Sequence, residues 1–354
     1  MSPTPPPSTE YKIALLGFGN VGQALVELLL DKKQTLKDEL GILFRVVGIA
    51  SGSHGAALNP MGVPLQELLT AYRSGVSLDE FSEQPISGSQ DFIECCGADV
   101  LFETTPVNYQ TGQPALDFNR LALESGMHAI TANKGPVVHG YRELTSLAKT
   151  SGLCFLFEST VMDGAPVFSI ARCGYPGAVV TGFSGVLNST TNLILTRMEE
   201  GESQEEAIAY AQSIGIAETD PSGDIDGWDA AVKVAALITV LMDIPYTPEQ
   251  VDRTGIRGLT PDLLQEAKEN GERWKLVCTA QRDGSKPPGI HAQVKPIKIS
   301  SDSNLYNVMG TSSILEIESD VLGKLSLIEK NPSTRTTAYG LLADFLNAVS
   351  DYQP

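Results

Sequence analysis

The chain has no long apolar run: nothing in its 354 residues approaches the roughly 20 consecutive apolar positions that a bilayer-spanning helix needs. Its amino terminus, Met1-Ser-Pro-Thr-Pro-Pro-Pro7, lacks the apolar core of a secretory leader. Positive charge is scarce. There are 25 Lys and Arg against 43 Asp and Glu, a formal charge of −18, and no basic cluster. That excludes a role built on neutralising nucleic-acid phosphates. Histidine is down to four residues, and the five cysteines (Cys95, Cys96, Cys154, Cys173, Cys278) include no C-x-x-C pair. Neither a disulfide framework nor a cysteine metal site is expected; reduced thiols in a soluble cytoplasmic protein are the simplest account. No repeat is present. What remains is an ordinary globular composition, 42% hydrophobic, with mass for one large domain or two modest ones.

Residues 1–9, rich in Pro, Ser and Thr, read as a disordered tail. Tyr11–Leu16 then reads as a buried strand, followed by Gly17-Phe-Gly19-Asn20-Val21-Gly22 and an amphipathic helix through about Leu40. A G-x-G-x-x-G between strand and helix is the context that gives this pattern meaning. Gly17 serves the tight turn, Gly19 lets backbone approach a pyrophosphate, and Gly22 allows close helix–strand packing. The helix start offers amide donors, at Asn20 and Val21 among others, to phosphate. A second strand, Phe44–Ala50, ends at Ser51, where an NAD-selective site would carry an acid for the ribose 2′-hydroxyl. The missing acid tilts the reading toward NADP, mildly, since no arginine is obviously placed for a 2′-phosphate. NAD stays open. Strand ends at Asp99–Glu103, followed by Thr104 and Thr105, and at His128–Thr131, followed by Asn133-Lys134, point polar groups toward the ligand-bearing edge of such a sheet. His54 reads as a loop residue. A lone loop lysine such as Lys134 is ordinarily just solvated.

The stretch Glu218–Lys233 is the second focus. It opens as a turn-rich acidic loop with Asp220-Pro221 and Ser222-Gly223, then becomes a helix for which Asp226 is the expected cap. From Ala230 to Met242 that helix is apolar on every side apart from Lys233 and Thr239, so it is expected to be buried. Asp229 lies one turn before Lys233, at i,i+4. With Glu218 and Asp224 upstream, a paired lysine there suits a small zwitterionic solute. A plain helix-start salt bridge accounts for the spacing equally well.

Taken together, residues 17–22, 131–136 and 185–233 resemble the homoserine dehydrogenase family over almost the whole chain. Asn188-Ser-Thr190-Thr191-Asn192, Ala211–Pro221 and Asp229-Ala-Ala-Val-Lys233 are similar to the family's N-G-T-T-N, A-Q-x-x-G-x-A-E-x-D-P and D-A-x-x-K patterns. The Glu103–Gly112 and Thr131–Pro136 segments look like its short branch, with no room for a regulatory domain or fused kinase. The resemblance implies an NAD(P)-dependent interconversion of L-aspartate 4-semialdehyde and L-homoserine, in the biosynthesis of threonine and methionine. It implies Lys233 or Lys134 as proton donor, the choice left open, and Asp229 as orienter of Lys233. Glu218, Asp224, Asp229, Thr190 and Asn188 are implied as substrate-binding, with Glu218 taking the substrate ammonium. Gly215 is implied near the cofactor. A monovalent cation such as Na+ would be held mainly by carbonyls of Glu158, Val161, Asp163 and Ala165, and the protein would be a homodimer acting on a small molecule. Three departures stand out: Ser189 for the usual glycine, Met162-Asp163-Gly164 where more glycines are usual, and Glu329–Thr334 where a glycine-rich turn precedes the last helix. They leave room for a related oxidoreductase with a different hydroxy or amino acid substrate, or for a non-catalytic NADP-binding homologue.

The expected fold is α/β. A Rossmann-type dinucleotide-binding domain (10–150) is followed by an α+β substrate and dimerisation domain (151–332), and the last helix (333–354) returns to the first domain.

Overall fold

The computed structural model describes residues 8–284 and 289–350. Its chain forms two compact units: Val167–Pro332 is one, and the residues on either side of it form the other.

In the first unit, β1 (Thr9–Leu16) buries Ile13 to Leu16 and feeds the glycine turn that starts α1 (Asn20–Leu40). The apolar stripe of α1, from Leu25 through Leu29 to Leu36, faces the sheet, and Gly41 ends the helix at a φ of 66°. The chain continues through β2 (Ile42–Ser51), β3 (Gly55–Leu58), α2 (Leu65–Arg73), α3 (Ser89–Cys95), β4 (Val100–Glu103), α4 (Ala115–Glu124), β5 (His128–Thr131), α5 (Lys134–Thr150) and β6 (Phe155–Leu156). The strand order is β3-β2-β1-β4-β5-β6, parallel except where β3 doubles back on β2. That is the doubly wound order, and it reverses direction between β1 and β4.

Three details depart from the sequence reading. Thr9 pairs with Ile42 in β1, so the tail stops short of it; the rest of the expected disordered stretch, apart from Ser8, lies outside the described residues. Residues 151–166 belong to the first unit because β6 extends its sheet beside β5. Lys134 opens α5 instead of standing in a loop, because Asn133 caps that helix by accepting a hydrogen bond from the Gly135 amide.

The second unit runs α6 (Val167–Gly174), β7 (Val180–Val186), α7 (Ser189–Glu199), α8 (Gln204–Ser213), α9 (Ser222–Ile225), α10 (Trp228–Leu241), β8 (Asp252–Arg253), α11 (Pro261–Glu269), β9 (Glu272–Arg282), β10 (Ile290–Ser300), β11 (Ser313–Ser319) and β12 (Gly323–Glu329). Its sheet has the order β12-β11-β7-β9-β10-β8 and is antiparallel apart from the short β8–β10 pairing. Helices α7, α10 and α11 pack on β9, giving the α+β layering that runs of strands imply.

The C-terminal helix α12 (Thr334–Val349) belongs to the first unit. Ala338, Leu341, Leu342 and Phe345 join its core, with Phe345 edge-on to Tyr11 and Phe102. Full burial of such a phenylalanine is worth about 1.5–3 kcal/mol. The helix also grips the segment after β6. The Glu158 amide donates to Asp344 (2.7 Å), Ser159 to the Thr337 carbonyl (2.7 Å), and Thr337 to the Asp163 carboxylate (2.8 Å).

Candidate active site

Two clusters of the expected residues are built, one in each unit. In the first, Gly17 has a φ of 101°, and a Cβ there would stand 2.6 Å from the Thr104 backbone, so only glycine fits. A Cβ on Gly22 would meet the Gly17 carbonyl at 2.6 Å. Around Gly19, by contrast, nothing lies within 4 Å of where a Cβ would be. The start of α1 has no side-chain cap and no acid in its first turn, so amides at Asn20 and Val21 suit an anion. This cradle fits a dinucleotide pyrophosphate. Ser51 ends β2 opposite Gly55, and the carboxylate nearby is that of Asp79, which lies against Gly55 and accepts from the Ala56 amide (2.9 Å). His54 is exposed in the following turn and lies against Tyr72, while Arg73 pairs with Glu27 and Gln23.

At the carboxyl ends of β4 and β5 the hydroxyls turn inward. Thr104 donates to the Gly17 carbonyl (3.0 Å), and Thr105 donates to Glu103. Glu103 is completely buried, and desolvation holds its carboxyl above the usual range against four hydrogen bonds that favour the anion. In the sequence Glu103 is a strand end, and what sets it apart is that it is the lone acid closing an otherwise apolar parallel strand.

The second cluster grows from the end of β7. The Leu187 carbonyl accepts from the Lys233 ammonium at 2.7 Å, and Asn188 caps α7 through its side-chain oxygen, which takes the Thr191 amide and hydroxyl, both at 2.8 Å. The Asn188 amide nitrogen donates to Asp224 (2.6 Å) and to Asp229 (3.0 Å). Asp229 lies 3.3 Å from Lys233, and both side chains are little exposed, 12% and 13%. The pair is therefore no surface bridge. Burial first and the Asp229 charge second push the Asp224 carboxyl upward, while Asn188 and Thr190 pull it back. Cys278 closes the cluster from β9; burial pushes its thiol up to about 12, so it is an inert neighbour. Asp226 does not cap α10. Gly227 does, with a φ of 76°, and Asp226 instead takes Arg257, since it ends α9 rather than leading α10.

Not every expected residue joins these clusters. The Glu218 carboxylate is exposed, its loop held by Gln212 donating to the Glu218 and Thr219 carbonyls. Gly215 is an exposed turn with a φ of 74°. At the proposed cation segment Glu158 and Val161 are buried, and Asp163 adopts a φ of 43° with its carboxylate directed to Thr337. Among the described residues, no group of three or more His, Cys, Asp and Glu is arranged to hold a metal ion. Any cation there would rest on main-chain oxygens such as those of Glu158, Val161, Asp163 and Ala165.

A doubly wound glycine-turn unit, with a buried lysine–carboxylate centre on an α+β unit, defines the class: an oxidoreductase using a nicotinamide dinucleotide. Residues 166–346 match the homoserine dehydrogenase family, and residues 17–158 match the homoserine dehydrogenase NAD-binding domain. The chain belongs to the homoserine dehydrogenase family. It is 36% identical over 342 residues to the NAD(+)-dependent homoserine dehydrogenase of Pseudomonas canavaninivorans, covering 96% of both chains. To the homoserine dehydrogenase of Methanocaldococcus jannaschii it is 34% identical, over 95% of this chain and 97% of that one. A hyperthermophilic archaeal homoserine dehydrogenase solved with NADPH superposes with a TM-score of 0.80 at 30% identity, covering 98% and 99% of the two chains.

Proposed function

We propose that this chain interconverts L-aspartate 4-semialdehyde and L-homoserine with a nicotinamide dinucleotide. The observation that carries the reading is the Lys233 ammonium, fixed between the Leu187 carbonyl and Asp229 in a cluster that also holds Asp224. The nicotinamide, when bound, supplies the hydride chemistry; the residues orient substrate and handle one proton. Lys233 polarises the substrate carbonyl and then protonates the alkoxide. Asp229, 3.3 Å away, aims that ammonium. Asp224 and Glu218 offer carboxylates to the substrate ammonium, and Thr190, whose hydroxyl steadies Asp224, shapes the same pocket wall. In the first unit, Gly17, Gly19, Gly22 and the α1 amides take the pyrophosphate, while Thr104, Thr105 and Lys134 serve the nicotinamide side.

Ser51 at the end of β2 favours NADP over NAD, because this residue is not the acid that would oppose a 2′-phosphate, and the Asp79 carboxylate beside Gly55 is engaged by the Ala56 amide and the Ser77 hydroxyl. Fluorescence titration is expected to give NADP the lower Kd. A lower Kd for NAD, the cofactor in the name of the Pseudomonas relative, would reverse the assignment. A monovalent cation on the 158–165 carbonyls, a homodimer covering the apolar edge strand β12, and a cytoplasmic role in threonine and methionine synthesis complete the reading. A stable monomer by light scattering at micromolar concentration would remove the dimer. The deciding assay follows NADPH oxidation with aspartate semialdehyde and NADP reduction with homoserine. Turnover in neither direction would discard the reaction. Turnover only with another hydroxy or amino acid would assign Ser189, half-exposed at the first position of α7, to a reshaped pocket.

A further inference from the structure

Glu103 and Asn119 are both fully buried, and the carboxylate gathers donors from three segments. One oxygen accepts from the Thr105 amide (2.7 Å) and hydroxyl (2.5 Å); the other accepts from the Thr131 hydroxyl (2.6 Å) and the Asn119 amide (3.3 Å). Thr131 passes the connection on by accepting from the Asn133 amide (2.8 Å). Asn133 then ties the same two loops together. Its side-chain nitrogen donates to the Thr105 and Pro106 carbonyls (3.1 and 3.2 Å), and its oxygen caps α5 at Gly135 (2.9 Å). Lys134 stands between those two residues, as the first residue of α5.

A buried carboxylate is costly unless its acceptor positions are filled, and here the filling is done by the segments that leave β4 and β5. Those strands form the half of the doubly wound sheet across the reversal point from β2, which carries Ser51 and the adenosine side. We infer that Glu103 is the positioning residue of the nicotinamide half: it fixes residues 104–106 and the start of α5, and through them Lys134, without touching ligand. This rests on the reading above that Lys134 serves the nicotinamide side.

Glutamine cannot replace it silently. Turned one way, its NH2 faces the Thr105 main-chain amide, which cannot accept; turned the other, it faces the Asn119 nitrogen, and Asn119 can offer its oxygen only by flipping and giving up its bond to the Ala115 carbonyl (2.8 Å). The test titrates NADPH and ADP-ribose, which has the pyrophosphate but lacks the nicotinamide, against the full chain and its variants. Glu103→Gln is expected to raise the Kd for NADPH about tenfold, within the range that small misplacements cost, and to leave that for ADP-ribose within about twofold. Thr131→Val should follow in the same direction, and Thr131→Ser, which restores the hydroxyl, should match the parent chain. NADPH affinity unchanged in both Glu103→Gln and Thr131→Val would overturn the inference. So would an equal loss of both ligands accompanied by a lower Tm, the mark of a residue that only stabilises the fold. Lys134→Met is the separate control. If it alters neither NADPH binding nor turnover, the reading of Lys134 fails, while the contrast between the two ligands in Glu103→Gln still decides the role of Glu103.

Discussion

Among the described residues of the second unit, Lys275 is fully buried and Lys233 largely so, and the two are solved in opposite ways. Lys233 lies against carboxylates, with Asp229 at 3.3 Å and Asp224 one amide away through Asn188. Lys275, only 1% exposed, donates instead to the Asn192 side-chain oxygen (2.9 Å) and the Val308 carbonyl (2.5 Å), beside the Met309 sulfur. Burial pulls its ammonium down to about 8. Asn192 completes that arrangement by donating to the carbonyls of Val308, Gly310 and Ser312. Helix α7 thus carries both devices one turn apart: Asn188 joins two acids near Lys233, and Asn192 joins three carbonyls near Lys275. Burial of a lysine is therefore a poor guide to chemistry, and the partners decide. The Lys233 ammonium faces acids at the end of β7, whereas the Lys275 ammonium, among neutral oxygens, holds a loop to a helix.

The comparison breaks most readily at Lys233. Lys233→Met keeps the volume and removes the ammonium, so kcat and kcat/KM should fall together by roughly a hundredfold to a thousandfold, with Tm lowered as Asp229 loses its counter-charge. A near-normal kcat in steady-state assays would take Lys233 out of the mechanism and leave Lys134 as the candidate donor.

Lys275 should show itself through pH. Its folded pKa lies below the unfolded value, so between about pH 8 and 10.5 the unfolded chain holds more protons and stability rises with pH. The gain is of order 3 kcal/mol across that window, at about 1.4 kcal/mol for each pH unit. Measured by urea unfolding, Lys275→Met should lose this slope while turnover at neutral pH stays within a few-fold. A large loss of kcat in Lys275→Met would erase the distinction between the two lysines.

The two asparagines give the smaller contrast. Asn188→Ala should lower kcat/KM about tenfold, by loosening Asp224 and Asp229, and should cost about 1 kcal/mol as the α7 cap is lost. Asn192→Ala should leave kcat/KM nearly unchanged and act on stability alone, about 1–3 kcal/mol for carbonyls left without a donor. Chemical denaturation beside kinetics on both variants checks this; equal kinetic losses would show that the 308–312 loop also serves the site.

Much of this molecule is written locally. The strand–glycine turn–helix at residues 9–40, the spacing of Asp229 and Lys233 on one helix face, and the apolar run of α10 all depend on periodicity and turn chemistry within about 20 residues. Those features, with the residue patterns around Asn188 and Glu218, were enough to expect the α/β class and the family. What tertiary structure alone decided lies in contacts between distant residues. Glu103 meets Thr131 across 28 positions, Asn188 meets Asp224 across 36, and Lys275 meets Val308 across 33. A side chain's local pattern says that it is buried, but not whether an acid, an amide or a carbonyl will face it. The same limit explains Asp226, which looked like a helix cap until Arg257, 31 residues on, claimed its carboxylate. It also explains β6, a two-residue strand too short for any period, whose membership was fixed only by the edge of β5 beside it.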